Sequence, residues 1–411
     1  MAKIKAFFDK NAAFAALFVI AFAVHLFLPL KWSDDAVFLK KAALPLAEFL
    51  NNTARPISDT VTYIFARSHT LWRIVNPFVL TFFAFFFARL IPVKDENRQK
   101  INWLVAVTSV FPCMIVVDAG FIATTVNYMY PGLCALITLN ILKKAFDNKK
   151  IRWWEYLVSI PLIAYTTNMQ QLGAVLFLIF ACVTVYFAFK KRFVFYALFD
   201  TLLYLGGSVY AYCINVFGEN NRMLRSAKLF FPEFPELNLF QKAELGFSST
   251  FYNLVMYPHF SYASFVAFTA FLCFCVLKST KKPFEIIAGV LPVAATVVFG
   301  ALSFVPSFSL GYREYGLDKA VYTFAVIPYL VYIPVIAAIL FSLYKLLGKD
   351  KFFVSFGLLF VGLVSRMIMG FSPTVWASGQ RTFFIMFIAF IAISAMLTDN
   401  LITNRKDSLN A

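Results

Sequence analysis

The feature that most constrains this chain is a recurrence. Stretches of about 20 mostly apolar residues, the length needed to cross a bilayer as a helix, alternate with short basic breaks along 411 residues. Twelve such stretches are readable, at 12–31, 71–92, 101–117, 124–142, 153–168, 171–189, 193–217, 261–277, 284–306, 322–344, 352–371 and 382–399. Lipid offers no partner for backbone N–H and C=O groups, so each stretch must satisfy its own as a helix. The expected fold is therefore all-α: one polytopic transmembrane bundle over 1–411 with about 12 spans. Composition agrees, with 61% hydrophobic and 14% charged residues against roughly 45–50% and about 25% in soluble domains. A water-soluble domain, a disordered chain, a coiled coil and a secreted disulfide scaffold are all excluded.

Two local decisions enter this count. The apolar run from Trp153 to Phe189 is too long for one span, and Thr166-Thr167-Asn168-Met169-Gln170-Gln171 supplies its turn. The first run follows Lys3, Lys5 and Lys10, as a signal peptide would. Its apolar core is too long for that role and no small-residue cleavage site follows, so it is expected to stay in the protein. The six cysteines lie in apolar runs without CxxC or histidine spacing, and read as small apolar-facing residues.

The charges orient the bundle. With the N-terminus in the cytoplasm, 23 of the 37 basic residues fall in short loops on that side, with 10 acids, a net +13. This is the positive-inside pattern, and it places both termini, including the 400–411 tail, in the cytoplasm. The total of +16 then records insertion, and no nucleic-acid partner is implied. The expected location is a membrane crossed many times, with membrane lipid as the surrounding partner. The cytoplasmic connections carry no phosphate-cradling glycine loop, metal cluster or nucleophile motif. The longer outer segments, a first loop at 32–70 with interfacial helices and a second at 218–260, hold the candidates for chemistry.

Directly after the first span come Trp32-Ser33-Asp34-Asp35. Either Ser33 or Asp34 caps an interfacial helix, or one of Asp34 and Asp35 is a general base or a ligand for a divalent cation such as Mg or Mn. Next, His69, Trp72, Arg73 and Asn76 recur at i, i+3, i+4 and i+7, one helix face. Arg73 suits a carboxylate or a lipid phosphate, or else snorkels beside a belt tryptophan. Asp118 brings another carboxylate to the same surface, and Asn127 and Tyr128 offer hydrogen bonds to a sugar or its diphosphate. Arg222 and Arg225, about one helical turn apart, are suited to a phosphate group or to lipid headgroups. Arg366 lies inside a span, where a charge faces protein or water unless it snorkels outward. Arg381 opens the last span.

Together, Ser33-Asp34-Asp35, Trp72-Arg73 to Asn76-Pro77, Asn127-Tyr128, Gly218-Glu219-Asn220-Asn221-Arg222 and Ser372-Pro373-Thr374 through Arg381 resemble a bacterial family of multi-spanning membrane proteins of unassigned function. That family is similar in layout to type-C (GT-C) glycosyltransferases of the O-antigen glucosyltransferase kind. The resemblance implies a membrane transferase that moves a sugar from a polyprenyl-phosphate donor to a cell-surface glycan acceptor. It further implies Asp34 or Asp35 as base toward the acceptor hydroxyl, and Arg73, Arg222 and Arg381 as holders of the lipid phosphate. The carboxylates are adjacent here, where type-C enzymes often separate them by one residue. The competing expectations are a transporter or flippase, against which the span midplanes read as nearly free of ionisable residues, and an arginine-dependent glycan polymerase or ligase.

Overall fold

A computed structural model of the chain describes residues 2–31, 33–51, 53, 55–109, 120–217, 222–305 and 326–410. Among these it is 84% helix, with no strand. Nine helices among the described residues are long and apolar enough to cross a membrane, the architecture of a multi-pass membrane protein. The sequence reading of twelve differs for physical reasons that can be named. The helix at Trp153–Thr167 is only 15 residues long. The span at 101–117 runs into residues outside the described set after an 11-residue helix, Arg98–Thr108. The spans at 322–344 and 352–371 fall in one continuous segment, Pro328–Phe371. That segment is interrupted at Gly348, where φ 69° and ψ 174° lie outside helical space and suit a residue without Cβ.

The chain divides into two compact units, residues 1–91 with 102–222, and residues 92–101 with 223–411. The first contains α1 (Ala2–Phe27), α2 (Asp34–Lys41), α3 (Leu46–Phe49), α4 (Pro56–Arg67) and α5 (His69–Leu90). After α6 (Arg98–Thr108), whose first turn belongs to the second unit, follow α7 (Phe121–Phe146), α8 (Trp153–Thr167), α9 (Gln170–Phe189) and α10 (Phe195–Phe217). Helices α8 and α9 part at the polar run chosen from sequence, because Asn168 turns back: its Nδ2 donates to the Ala164 carbonyl at 2.9 Å, and its Oδ1 accepts the Ile57 N–H at 3.1 Å. In α7, Thr125–Met129 forms one wider π turn, a distortion that recurs at functional sites.

The second unit contains α11 (Arg222–Phe230, whose first residue lies at the unit boundary), α12 (Leu239–Phe251, running into a π turn at Tyr252–Met256), α13 (Phe260–Ser279) and α14 (Pro283–Leu302). It ends with α15 (Ile327–Met367) and α16 (Phe384–Asn410), so the segment read as a tail at 400–411 continues a helix through Asn410. Helix α11 lies on a cluster of Ala227, Phe231, Phe234, Leu237, Leu245 and Val375. Helix–helix contact in lipid depends on close packing rather than on hydrophobic exclusion from water, and α12 shows why glycine is needed. A Cβ on Gly246 would lie 2.2 Å from the Met367 carbonyl oxygen, and one on Gly370 would lie 2.1 Å from that of Lys242. Outward-facing Val19, Ile20, Leu202, Val298 and Leu330 remain exposed, as lipid-facing side chains would.

In the second unit, Asp399 of α16 is fully buried and collects three donor groups through four contacts. Lys351 Nζ approaches Oδ2 at 2.7 Å, Asn97 Nδ2 donates to Oδ1 at 2.9 Å, and the Lys94 N–H reaches both oxygens at 3.3 and 3.4 Å. This clasp anchors the 92–101 segment.

Candidate functional site

The candidate residues of the first unit rise from a shared apolar base. Leu30, Phe65, Trp72, Ile122 and Val126 form a buried cluster flanked by Leu28, Val75, Tyr130 and Tyr165, drawing together the ends of α1, α4, α5 and α7. Above it the two carboxylates part company. Asp34 begins α2 and is exposed. Asp35 is 2% exposed and caps α7: its Oδ2 accepts the Ile122 N–H at 3.0 Å and its Oδ1 the Ala123 N–H at 2.9 Å. A carboxylate at a helix N-terminus satisfies otherwise unpartnered N–H groups and complements the helix dipole. Burial pushes the Asp35 carboxyl above the usual carboxylate range, against the downward pull of the Ala123 and Ile122 N–H groups, while the Asp34 charge adds to the rise.

The capping reading from sequence is thus corrected in its details. Ser33 at the start of α2 makes no side-chain cap, and the capping carboxylate serves a helix some 87 residues away. The close approach requires Gly120, whose φ of 102° is left-handed and whose Cβ would lie 2.6 Å from Asp35 Cγ. Of the two carboxylates read as a Mg or Mn site, Asp35 is committed to the cap of α7. Both Asp35 oxygens already accept backbone N–H groups, and no group of three His, Cys, Asp or Glu side chains able to hold a metal occurs among the described residues.

The helical face read on α5 is real, and most of it turns inward. Trp72 is 0% exposed and its Nε1 donates to Thr125 Oγ1 at 3.1 Å. Asn76 is buried against His25 of α1, with Nδ2 and Nε2 2.8 Å apart. His25 Nδ1 lies 2.6 Å from the Ala21 carbonyl. A carbonyl only accepts, so Nδ1 carries the hydrogen and Nε2 accepts from the Asn76 amide. Arg73 is half-buried, and its Nη2 donates to the Leu28 carbonyl at 3.0 Å. His69 is half-buried at the first turn of α5. Asn127, set in the π turn of α7, accepts from Arg55 Nη1 at 3.2 Å and donates to the Ala123 carbonyl at 2.6 Å. Tyr128 beside it is buried.

Asp118 lies outside the described residues, as does the side chain of Arg222. In the second unit Arg225 is exposed on α11. Arg366 and Arg381 hold one turn of chain: Arg366 Nη2 donates to the Val375 carbonyl at 3.2 Å, and Arg381 Nε to that of Ser378 at 3.0 Å. Arg366 is 1% exposed, which removes the snorkelling alternative.

Three residues were missed. His25 gave no signal beyond being a histidine in an apolar run. Arg55 pairs across 72 residues, a separation that local patterns do not register. Asp200, counted from sequence only as a cytoplasmic-side acid, is fully buried within α10 beside Tyr196 and Ser159. It stands five residues into the helix, about 7.5 Å of rise from its start at Phe195. No family model, curated protein or solved structure matches this chain.

Proposed function

We propose that this chain is a membrane glycosyltransferase of type-C layout that transfers a sugar from a polyprenyl-phosphate donor to a glycan acceptor at the outer face of a bacterial cytoplasmic membrane. In this reading the chain crosses about twelve times, with both termini cytoplasmic. The observation that carries it is the division of labour between two adjacent carboxylates: Asp35 is engaged by the start of α7, and Asp34 is exposed on the neighbouring position. A general base must reach its substrate, and exposure favours Asp34.

The chemistry follows from the lipid. A polyprenyl-phosphate sugar already sits at the membrane surface, so the protein has to position it and stabilise the departing phosphate. Asp34 takes the proton from the acceptor hydroxyl while that oxygen bonds to the anomeric carbon. The lipid phosphate leaves with the bonding pair, and a single displacement inverts the configuration. Arg73, in the same unit as Asp34, would hold the phosphate as it gains charge. Its guanidinium has five N–H donors, so the bond from Nη2 to the Leu28 carbonyl leaves donors for a ligand.

The test is Asp34→Asn against Asp35→Asn, each expressed in the native membrane with surface-glycan modification as the readout. Asp34→Asn is expected to abolish modification at normal protein level. Asp35→Asn is expected to lower the folded yield. Full modification by Asp34→Asn overturns the assignment of the base. A second reading, transport of a lipid-linked saccharide, draws on Asp200, because an ionisable residue buried within a membrane helix commonly marks a translocation path. Normal modification together with lost saccharide translocation in Asp200→Asn would favour it.

A further inference from the structure

Arg366 presents a problem of charge. Its guanidinium carries five N–H donors, yet among the described residues Nη2 bonds only the Val375 carbonyl, and Nε and Nη1 are buried without an acceptor. The Phe383 ring lies 4.8 Å from its Cζ and offers a modest cation–π attraction. Neither contact neutralises a full charge, and a buried cation without a counter-charge is costly.

The same helix face supplies a second, independent feature. Leu359, Leu363 and Arg366 follow one another at i, i+4 and i+7 along α15, and Phe383, the last residue of the 3-10 turn Gln380–Phe383, precedes Met386 and Phe390 of α16 at i, i+3 and i+7. Between these stripes and α13 lies an apolar cavity of about 90 Å³, lined among others by Phe265, Leu359, Phe360, Leu363, Met386 and Phe390. Phe360 is 56% exposed, so the cavity opens to the surroundings of the helices. Its inner lining at Leu363 stops about one helical turn, or ~4.5 Å of rise, short of the Arg366 backbone.

We propose that this crevice is a binding site for a phosphate-headed lipid, with one apolar chain lying between α13, α15 and α16 and the phosphate meeting Arg366 Nε and Nη1. The occupant must be apolar along most of its length and anionic at one end. An uncharged lipid would leave the guanidinium uncompensated, and a free phosphate would leave the apolar crevice unused. The inference does not depend on the transferase reading, since any phosphate-headed lipid of the membrane meets its terms.

The experiment uses the full-length protein purified in an uncharged detergent, incubated with phosphatidic acid or with diacylglycerol of the same acyl chains. Retained lipid is counted by native mass spectrometry. Phosphatidic acid is expected to be retained at least about tenfold better than diacylglycerol. Arg366→Gln should bring it down to the diacylglycerol level, and Arg366→Lys should restore part of the preference. Leu363→Trp, which fills the crevice without touching the charge, should lower retention of phosphatidic acid and so keeps the test decisive if Arg366→Gln fails to fold. Equal retention of the two lipids overturns the proposal. So does full competition by inorganic phosphate at matched concentration, which would identify a simple anion site. Loss of this preference with glycan modification intact would separate failure here from failure of the transferase reading.

Discussion

Asp34 and Asp35 are one position apart, but α2 begins between solvent and the start of α7, so the first points outward and the second is held by two N–H groups of another helix. The pH dependence of Asp35 follows from its raised pKa. Between the ordinary value and the raised one, the folded protein binds a proton that the unfolded chain has released, so stability falls as pH rises through that interval. The contribution is full below the ordinary carboxylate range, about pH 4, and is lost as pH climbs through the raised value. Thermal unfolding of the detergent-solubilised protein should show this slope, and Asp35→Asn should flatten it. An identical slope in the variant would mean that another group titrates there. Gly120→Ala combines a left-handed φ with a Cβ driven into Asp35. It should cost about 2–4 kcal/mol through strain and a lost cap, read as a lowered unfolding temperature.

At the scale of elements, the long apolar runs were legible because lipid imposes one requirement on every residue of a span, and the requirement repeats in order along the chain. The turn at Thr166 to Gln171 and the break between the spans at 322–344 and 352–371 were legible for the same reason, as local breaks in that order. The shared face of Trp72, Arg73 and Asn76 was readable from helical spacing, but its partners were not. His25 lies 51 residues from Asn76, and the Asp35 cap joins positions 87 apart. Nothing in a local pattern encodes a pairing of that kind. The glycines carry a similar lesson, because Gly246 and Gly206 look alike in sequence. A Cβ on Gly246 would meet the Met367 backbone, whereas one on Gly206 or Gly357 meets nothing within 4 Å. Gly246→Ala should therefore sharply reduce folded protein in size-exclusion profiles. Gly206→Ala and Gly357→Ala should be tolerated and gain about 0.5–1 kcal/mol each from lower backbone entropy. Equal behaviour of all three would contradict the backbone contact between α12 and the end of α15.

Across the whole molecule, residues 92–101 belong to the second unit although first-unit residues flank them on both sides. Asp399 is the group that secures them. Asp399→Ala leaves Lys351 without its ion-pair partner, removes the acceptor of the Lys94 N–H and leaves Asn97 its weaker bond to Thr403 Oγ1. Because Lys351 keeps partial contact with solvent, the expected cost is about 2–4 kcal/mol, somewhat under the usual figure for breaking a buried pair. Trypsin should then cut faster at Lys94, Arg98 and Lys100, followed by the size of the fragments released from intact membranes. Unchanged cleavage would show that the segment is held by something else. The clasp also bears on how the protein is made. Lys94 and Asp399 stand 305 residues apart, and a ribosome adding roughly 5–20 residues per second needs about 15–60 s to travel that distance. Throughout that interval the early segment waits without its acceptor, so the second unit closes only when the final helix has left the ribosome.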